Sequence, residues 1–252
     1  MVAPARAPAT PATPATPTTP ATPTTPTEHG GPLEPVYVWD LVVRLSHWAI
    51  VLSILVLTFT GIDIARPFLH GGSGKAGFTT GYVRVIHFYA AQVFSLAVLA
   101  RLVWMFTGPR RSDWRQFIPA SAQRRRDMIG TLKFYLMLRP SPPPATGHNP
   151  MAGLMYLGVF GLYVLMILTG FALYSVSAYT SYMHGWQFLL GVFHGAQGAR
   201  WLHHVTMWVL LCFAVQHFAS ALLTARVEKN GTLDSIFTGY KFLPKDRRKD
   251  DE

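Results

Sequence analysis

The chain has 252 residues, half of them apolar and only 13% charged, whereas soluble domains carry about a quarter charged residues. The net charge of +10 does not require nucleic acid as a partner, because the Lys and Arg residues lie between and after long apolar runs, as they do in membrane proteins. The lone Cys212 excludes an internal disulfide and an iron–sulfur cluster held by this chain.

The N-terminal segment, residues 1–32, consists of Pro/Ala/Thr repeats such as PATPATPTTP. Such a composition has little apolar surface to bury, so we expect a disordered or semi-extended cytoplasmic tail. Residues 33–243 form the predicted membrane domain, and residues 244–252 form a short, charged cytoplasmic tail.

Four apolar runs predict four transmembrane helices, since about 20 apolar residues span a bilayer core. The predicted spans are about 45–65, 82–107, 150–176 and 199–224. Helices of this length share one core, so the predicted fold is all-α, an integral membrane four-helix bundle. Between the second and third spans, residues 124–137 are expected to form a short amphipathic surface helix.

The Lys and Arg residues are distributed unevenly between the connections. Residues 108–139 contain eight, and the chain after Ala225 contains seven. By contrast, residues 63–81 contain two and residues 176–199 contain none. Positive residues remain on the cytoplasmic side, so we expect both termini and the second connection to be cytoplasmic in a multi-pass protein of the bacterial inner membrane.

Five of the ten histidines fall within the predicted spans: His47, His87, His203, His204 and His217. Ionisable residues inside a membrane usually face the bundle interior and mark function. The alternative is a structural histidine that bonds to a neighbouring helix.

The spacing of these histidines predicts two pairs at different depths. His203 and His217 are 14 residues apart, which places them about 40° from each other and about 21 Å apart along a helix. His204 is about 140° from His217 and points elsewhere, so its role stays open. His47 begins the first span on the inner side and His87 begins the second on the outer side. The expected pairs are therefore His47/His217, inner, and His87/His203, outer.

Two stacked pairs of imidazoles on facing helices suit two b-type haems. Zinc is the main metal alternative. Four histidines at two depths cannot converge on one tetrahedral ion, and no Cys, Asp or Glu is expected to assist within the membrane. A non-redox scaffold whose histidines only join helices remains a second alternative.

Arginines accompany the histidines at a regular spacing. Arg44, Arg84 and Arg200 each precede one by three residues, on the same face and one turn nearer to water. Arginine pairs well with anionic haem propionates, although ordinary snorkelling toward the interface would also explain it. Arg101, 14 residues after His87, lies at the inner depth and is predicted to bind a propionate of the inner haem.

Several motifs resemble the cytochrome b subunit of membrane-bound nickel–iron hydrogenases. The resemblance covers about residues 36–243. Its motifs are VYVWDLVVRLSHW (36–48), GYVRVIHFYAAQVF (81–94), GHNPMAG (147–153), ILTGFALY (167–174), HHVTMW (203–208) and DSIFTGYKF (234–242). The R-x-x-H-W start of the first span is shared with formate dehydrogenase cytochrome subunits and small b561-type cytochromes.

The resemblance implies an electron-transfer subunit of a hydrogen:quinone oxidoreductase, with partner hydrogenase subunits, small (iron–sulfur) and large, on the outer face. Its haem ligands would be the four histidines that the spacing pairs. We expect electrons to enter at the outer haem, pass to the inner haem and reach menaquinone or ubiquinone near the cytoplasmic side. The alternatives are a stand-alone b561-type cytochrome and a subunit of another respiratory complex, such as formate dehydrogenase.

The third span begins with a candidate quinone site. His148 and Asn149 precede it and border the basic second connection, so they are the predicted quinone-pocket residues. The alternative is a polar helix start before Pro150, since Asn-Pro favours a turn.

Overall fold

The computed structural model describes residues 33–69, 78–109, 112–143, 150–178 and 180–244. The helices are α1 (Leu41–Ala65), α2 (Thr79–Thr107), α3 (Ala122–Tyr135), α4 (Pro150–Ser175), α5 (Ser181–His184), α6 (Phe188–Val192), α7 (Gly195–Glu228) and α8 (Ser235–Thr238). The strands are β1 (Leu33–Tyr37) and β2 (Tyr240–Pro244). The predicted N-terminal tail lies outside the described residues, and so do His148 and Asn149.

Four helices, α1, α2, α4 and α7, are long and apolar enough to cross a membrane, which confirms the four predicted spans. Their large apolar side chains face outward: Leu52, Leu96 and Val215 are 60%, 65% and 72% exposed. In water such a surface would be unstable, but in a bilayer it contacts lipid. The chain is therefore a multi-pass membrane protein.

The four long helices form two antiparallel pairs. α1 packs mainly against α2, and α4 packs mainly against α7. A buried cluster around Ile50, Phe94 and Val98 joins α1 to α2 and also contacts α4. A second cluster around Ala172, Phe193 and Ala199 joins α4 to α6 and α7. The bundle is thus two helix pairs that meet along a narrower seam.

The ends of α3 and α7 follow from local chemistry. Ser121 caps α3, because its hydroxyl accepts the Arg124 N–H at 3.1 Å, and the helix starts two residues before the predicted one. α7 starts at Gly195, after His194 with φ 56°, and ends at Glu228. It is longer than the predicted 199–224.

A small sheet joins the two ends of the described chain. β1 and β2 pair antiparallel, with Leu33 opposite Pro244 and Tyr37 opposite Tyr240. Gly239, with φ 90°, accepts the Val38 N–H at 2.8 Å through its carbonyl. A Cβ there would lie 2.6 Å from Tyr37 Cε2, so only glycine fits. The sheet, which was not predicted, is an addition to an otherwise all-α fold.

Candidate functional site

Each of the four long helices contributes a polar side chain to each of two levels. We define the inner layer as His47 (α1), Arg101 (α2), Tyr156 (α4) and His217 (α7). We define the outer layer as Thr60 (α1), His87 (α2), Thr169 (α4) and His203 (α7). Within each helix the two members are 13 or 14 residues apart, so the layers are about 20 Å apart along the helices.

The inner layer brings the two histidines of the predicted pair close together, with their rings tilted against each other. The ring centres of His47 and His217 are 6.5 Å apart, with their planes at 58°. With metal–nitrogen bonds of about 2.0–2.1 Å, two imidazoles on opposite sides of one ion have ring centres roughly 6 Å apart. The donor set and its spacing therefore fit one bis-histidine ion.

The surroundings of the inner histidines are mostly aromatic. The Phe213 ring stacks on His217 at 5.6 Å and 15°, and Tyr156 Oη lies 3.3 Å from His217 Nδ1. The Nδ1 of His47 is buried, and no described residue forms a hydrogen bond with it. The two members of the inner pair are thus held unequally.

The outer layer holds both of its histidines in the same way. The His87 Nδ1 lies 2.8 Å from Thr60 Oγ1 on α1. The His203 Nδ1 lies 2.9 Å from Thr169 Oγ1 on α4. In each helix pair, one helix supplies the histidine and its neighbour supplies the hydroxyl that orients it.

A glycine follows each of these threonines and lies against the same imidazole. A Cβ at Gly61 would be 3.4 Å from His87 Cε1, and one at Gly170 would be 3.5 Å from His203 Cε1. His87 and His203 are also close enough to interact electrostatically. Because glycine has no side chain, neither outer imidazole is crowded at this position, an arrangement compatible with a bulky group bound beside the rings.

Arg101 is the buried cation of the inner layer, and only 6% of it is exposed. Its guanidinium carbon lies 5.7 Å from the ring centres of both Phe117 and Phe160. Asp40 is an electrostatic neighbour, yet the Arg101 Nη1 has no hydrogen-bond partner in the described part of the chain. A buried charge with a spare donor is suited to an anionic group.

The three arginines that share the R-x-x-H spacing do not share an environment. Arg44 Nη1 donates to the Phe237 carbonyl at 2.5 Å. Arg200 Nη1 donates to Gln197 Oε1 at 2.5 Å, and Arg84 is exposed. Their role toward propionates remains a prediction, and two of them already have partners within the protein.

Several site residues were not singled out from the sequence. Thr60 and Thr169 each precede a glycine, in LTFTG and ILTG, and that repeated pair was the available signal. Asp63 was also not singled out: it lies near the end of α1, within the predicted first span, and it is completely buried. Its Oδ1 accepts the backbone N–H groups of residues 68 and 69 at 2.9 Å.

Asp63 does not complete a metal-binding cluster. In the described ranges, no three His, Cys, Asp or Glu side chains converge to hold one ion. The histidines instead come as two pairs, a donor set that would suit haem iron. His204 interacts electrostatically with His203.

Comparisons with known proteins agree with this arrangement. The family model for prokaryotic cytochrome b561 matches residues 38–239. Proteins of Bradyrhizobium diazoefficiens and Rhodobacter capsulatus are each 32% identical to the chain, over 82% and 84% of it and over 85% and 83% of their own lengths. A protein of Escherichia coli is 33% identical, over 81% of the chain and 90% of its own length.

These three relatives carry the same name, probable Ni/Fe-hydrogenase B-type cytochrome subunit, with the Escherichia coli protein assigned to hydrogenase 1. The family match covers all four membrane-spanning helices and both polar layers. The chain therefore belongs to the prokaryotic cytochrome b561 family of haem b-binding membrane proteins.

Proposed function

We propose that this chain is the b-type cytochrome subunit of a membrane-bound nickel–iron hydrogenase and conducts electrons from the iron–sulfur subunit of that enzyme to quinone. The observation that carries the proposal is the pair of polar layers, each with two histidines from different helix pairs. When bound, haem b supplies a reversible one-electron carrier at each layer. The names of the relatives support the hydrogenase as partner.

Within this proposal the four histidines hold two irons. His47 and His217 bind the inner one, and His87 and His203 bind the outer one. Arg101 would pair with a propionate at the inner layer, where it is 6% exposed and its guanidinium carbon lies 5.7 Å from two phenyl ring centres. Charge-assisted pairs of this kind are strong when they are shielded from solvent.

Arg44, Arg84 and Arg200 are proposed to meet propionates at the membrane surfaces. Of these, Arg84 has the most freedom to do so, since it is exposed. Arg44 and Arg200 would have to share their side chains with Phe237 and Gln197 or exchange partners.

The distribution of charge supports the proposed orientation. The basic residues of the second connection and of the C-terminal tail favour a cytoplasmic location for both. The connection between α4 and α7 then faces outward and receives the iron–sulfur subunit. Quinone is reduced near the cytoplasmic side, with His148 and Asn149 as proposed pocket residues.

Hydrogen-dependent reduction of the cytochrome tests this function. Membranes containing the chain and its hydrogenase should show a b-type difference spectrum on addition of hydrogen, and quinone should reoxidise the haem. The chain should also co-purify with an iron–sulfur subunit. The variants His203→Ala and His204→Ala form a matched pair, because the first changes a proposed haem ligand and the second changes the residue next to it.

Three outcomes would contradict the proposal. A chain that carries haem, needs no partner and is reduced by quinol would be a stand-alone b561-type cytochrome. Co-purification with a formate-oxidising enzyme would assign it to a different complex. A purified chain without any reducible b-type band would be a non-redox scaffold.

A further inference from the structure

In both threonines of the outer layer, the hydroxyl proton already forms a hydrogen bond within the threonine's own helix. Thr60 Oγ1 lies 2.7 Å from the Val56 carbonyl oxygen, and Thr169 Oγ1 lies 2.8 Å from the Leu165 carbonyl oxygen. These are ordinary O–H···O distances. A carbonyl oxygen carries no proton, so each hydroxyl must be the donor in its bond along the helix.

These intrahelical bonds determine which atom donates in the hydrogen bond between each threonine and its histidine. A threonine hydroxyl has one proton and two lone pairs. Because its proton points to the helix carbonyl, the hydroxyl can only accept from the nearby imidazole. The Nδ1–H of His87 therefore donates to Thr60, and the Nδ1–H of His203 donates to Thr169. In both rings the Nε2 is left without a proton, and its lone pair is free to bind a metal.

We propose that Thr60 and Thr169 are positioning residues that give the outer layer a lower reduction potential than the inner layer. The inference rests on the proposed function, since it concerns the irons that the histidine pairs would hold. A ligand imidazole that donates a hydrogen bond through its other nitrogen is more basic. It therefore favours the oxidised iron, and second-shell hydrogen bonds of this kind tune haem potentials.

The inner layer lacks this support. No described residue accepts a hydrogen bond from His47 Nδ1, and His217 Nδ1 has the longer 3.3 Å contact with the Tyr156 phenol. The outer layer thus has two short hydrogen bonds to its histidines, whereas the inner layer has one long contact. The outer iron is therefore the harder of the two to reduce.

Arg101 acts in the same direction from the inner layer. Its buried positive charge would favour the less positive, reduced form of an iron held at the inner layer, and a charge acts strongly in a medium of low dielectric constant. Electron transfer from the outer to the inner layer is then downhill, as the proposed direction of flow requires.

Redox titration of chains that retain one layer tests the order of the potentials. Each His→Ala variant at an inner ligand keeps the outer layer intact. The His47→Ala chain should therefore titrate at the lower of the two midpoints of the unaltered chain, and the His87→Ala chain at the higher. The reverse order, or equal midpoints, would overturn the inference.

Substitution of the threonines tests their part directly. Thr60→Val and Thr169→Val keep the shape and remove the acceptor, so each should raise the lower midpoint and leave the higher one in place. We expect a severalfold change in the oxidised-to-reduced ratio, below the tenfold that corresponds to about 59 mV for one electron. Thr60→Ser and Thr169→Ser should restore the original value.

Thr107→Val is the matched control. Thr107 forms the same type of bond along its helix, to the Val103 carbonyl, but it is not hydrogen-bonded to any of the four histidines of the two layers. If Thr107→Val shifts the lower midpoint as much as Thr60→Val does, or if Thr60→Val shifts nothing, the inference fails. Loss of the outer haem in a valine variant, with its return in the serine variant, would support the positioning role.

Failure of the proposed function would look different. An unaltered chain without haem would remove the basis of the inference, whereas a two-haem chain with insensitive potentials would overturn the inference alone. Pyridine haemochrome analysis of each purified variant distinguishes these two results.

Discussion

The adjacent residues His203 and His204 have different surroundings, so we expect only His203 to be needed for haem binding. His203 contacts the Thr169 hydroxyl and lies next to Gly170. We expect His203→Ala to lose one of two haems and His204→Ala to keep both, as measured by haem per chain. Loss of the outer haem from the His204→Ala chain alone would reverse the assignment. Single Ala substitutions at His47, His87 and His217 should likewise each remove one haem.

Gly61 sets how much space remains beside His87, the proposed ligand of the outer iron. An added Cβ would stand 3.4 Å from the His87 ring, near the limit of ordinary contact. Gly61→Ala should therefore retain the outer haem, whereas Gly61→Leu should displace the ring and lose it, because packed interiors leave little room for three more carbons. The haem content of the two variants provides the measurement, and equal haem content in both would contradict the steric argument.

Arg101 should matter to the inner haem alone. We expect Arg101→Gln to lower the midpoint potential of the inner haem or its occupancy, because the variant removes a buried cation. Arg115→Gln is the control, since Arg115 makes a comparable contact with Trp114 at 5.7 Å but is exposed. An unchanged inner haem in the Arg101→Gln chain would exclude the pairing with a propionate.

At the scale of elements, Gly239 decides whether the two strands can pair beside the bundle. Its left-handed backbone alone would cost a residue with a side chain about 1–2 kcal/mol, and the contact with Tyr37 adds to this. We expect Gly239→Ala to lower the thermal unfolding temperature and to expose the C-terminal segment to protease. Gly191→Ala, which places its Cβ in open space within α6, should do neither.

The elements also differ in how far the sequence could predict them. The four spans were predictable because an apolar run of bilayer length has few other solutions. The pairing of β1 with β2 was not, since it joins segments about 200 residues apart, and neither strand has a strong pattern of its own. The residues of the site also differ in this respect. The spacing along one helix predicted the histidine pairs. The threonines that contact these histidines lie on other helices, and spacing within one helix does not predict contacts between helices.

At the scale of the whole molecule, the basic connections determine the expected orientation in the membrane. We expect alkaline phosphatase, which is active only outside the cytoplasm, to be active when fused within residues 180–194 and inactive when fused at the C-terminus or within residues 122–135. The charge asymmetry between these connections is the physical reason. The opposite pattern would invert the bundle and place the basic surface outward.

The narrow seam between the helix pairs has a consequence for the cohesion of the protein. Each histidine pair takes one member from the α1–α2 pair and one from the α4–α7 pair, so a bound iron would fasten together two halves that otherwise touch little. A group that binds only the folded state stabilises it. Haem would then hold the two helix pairs together as well as carry electrons. Without haem, the α1–α2 and α4–α7 pairs should separate along the seam. Protease should then cut the connection between α2 and α4.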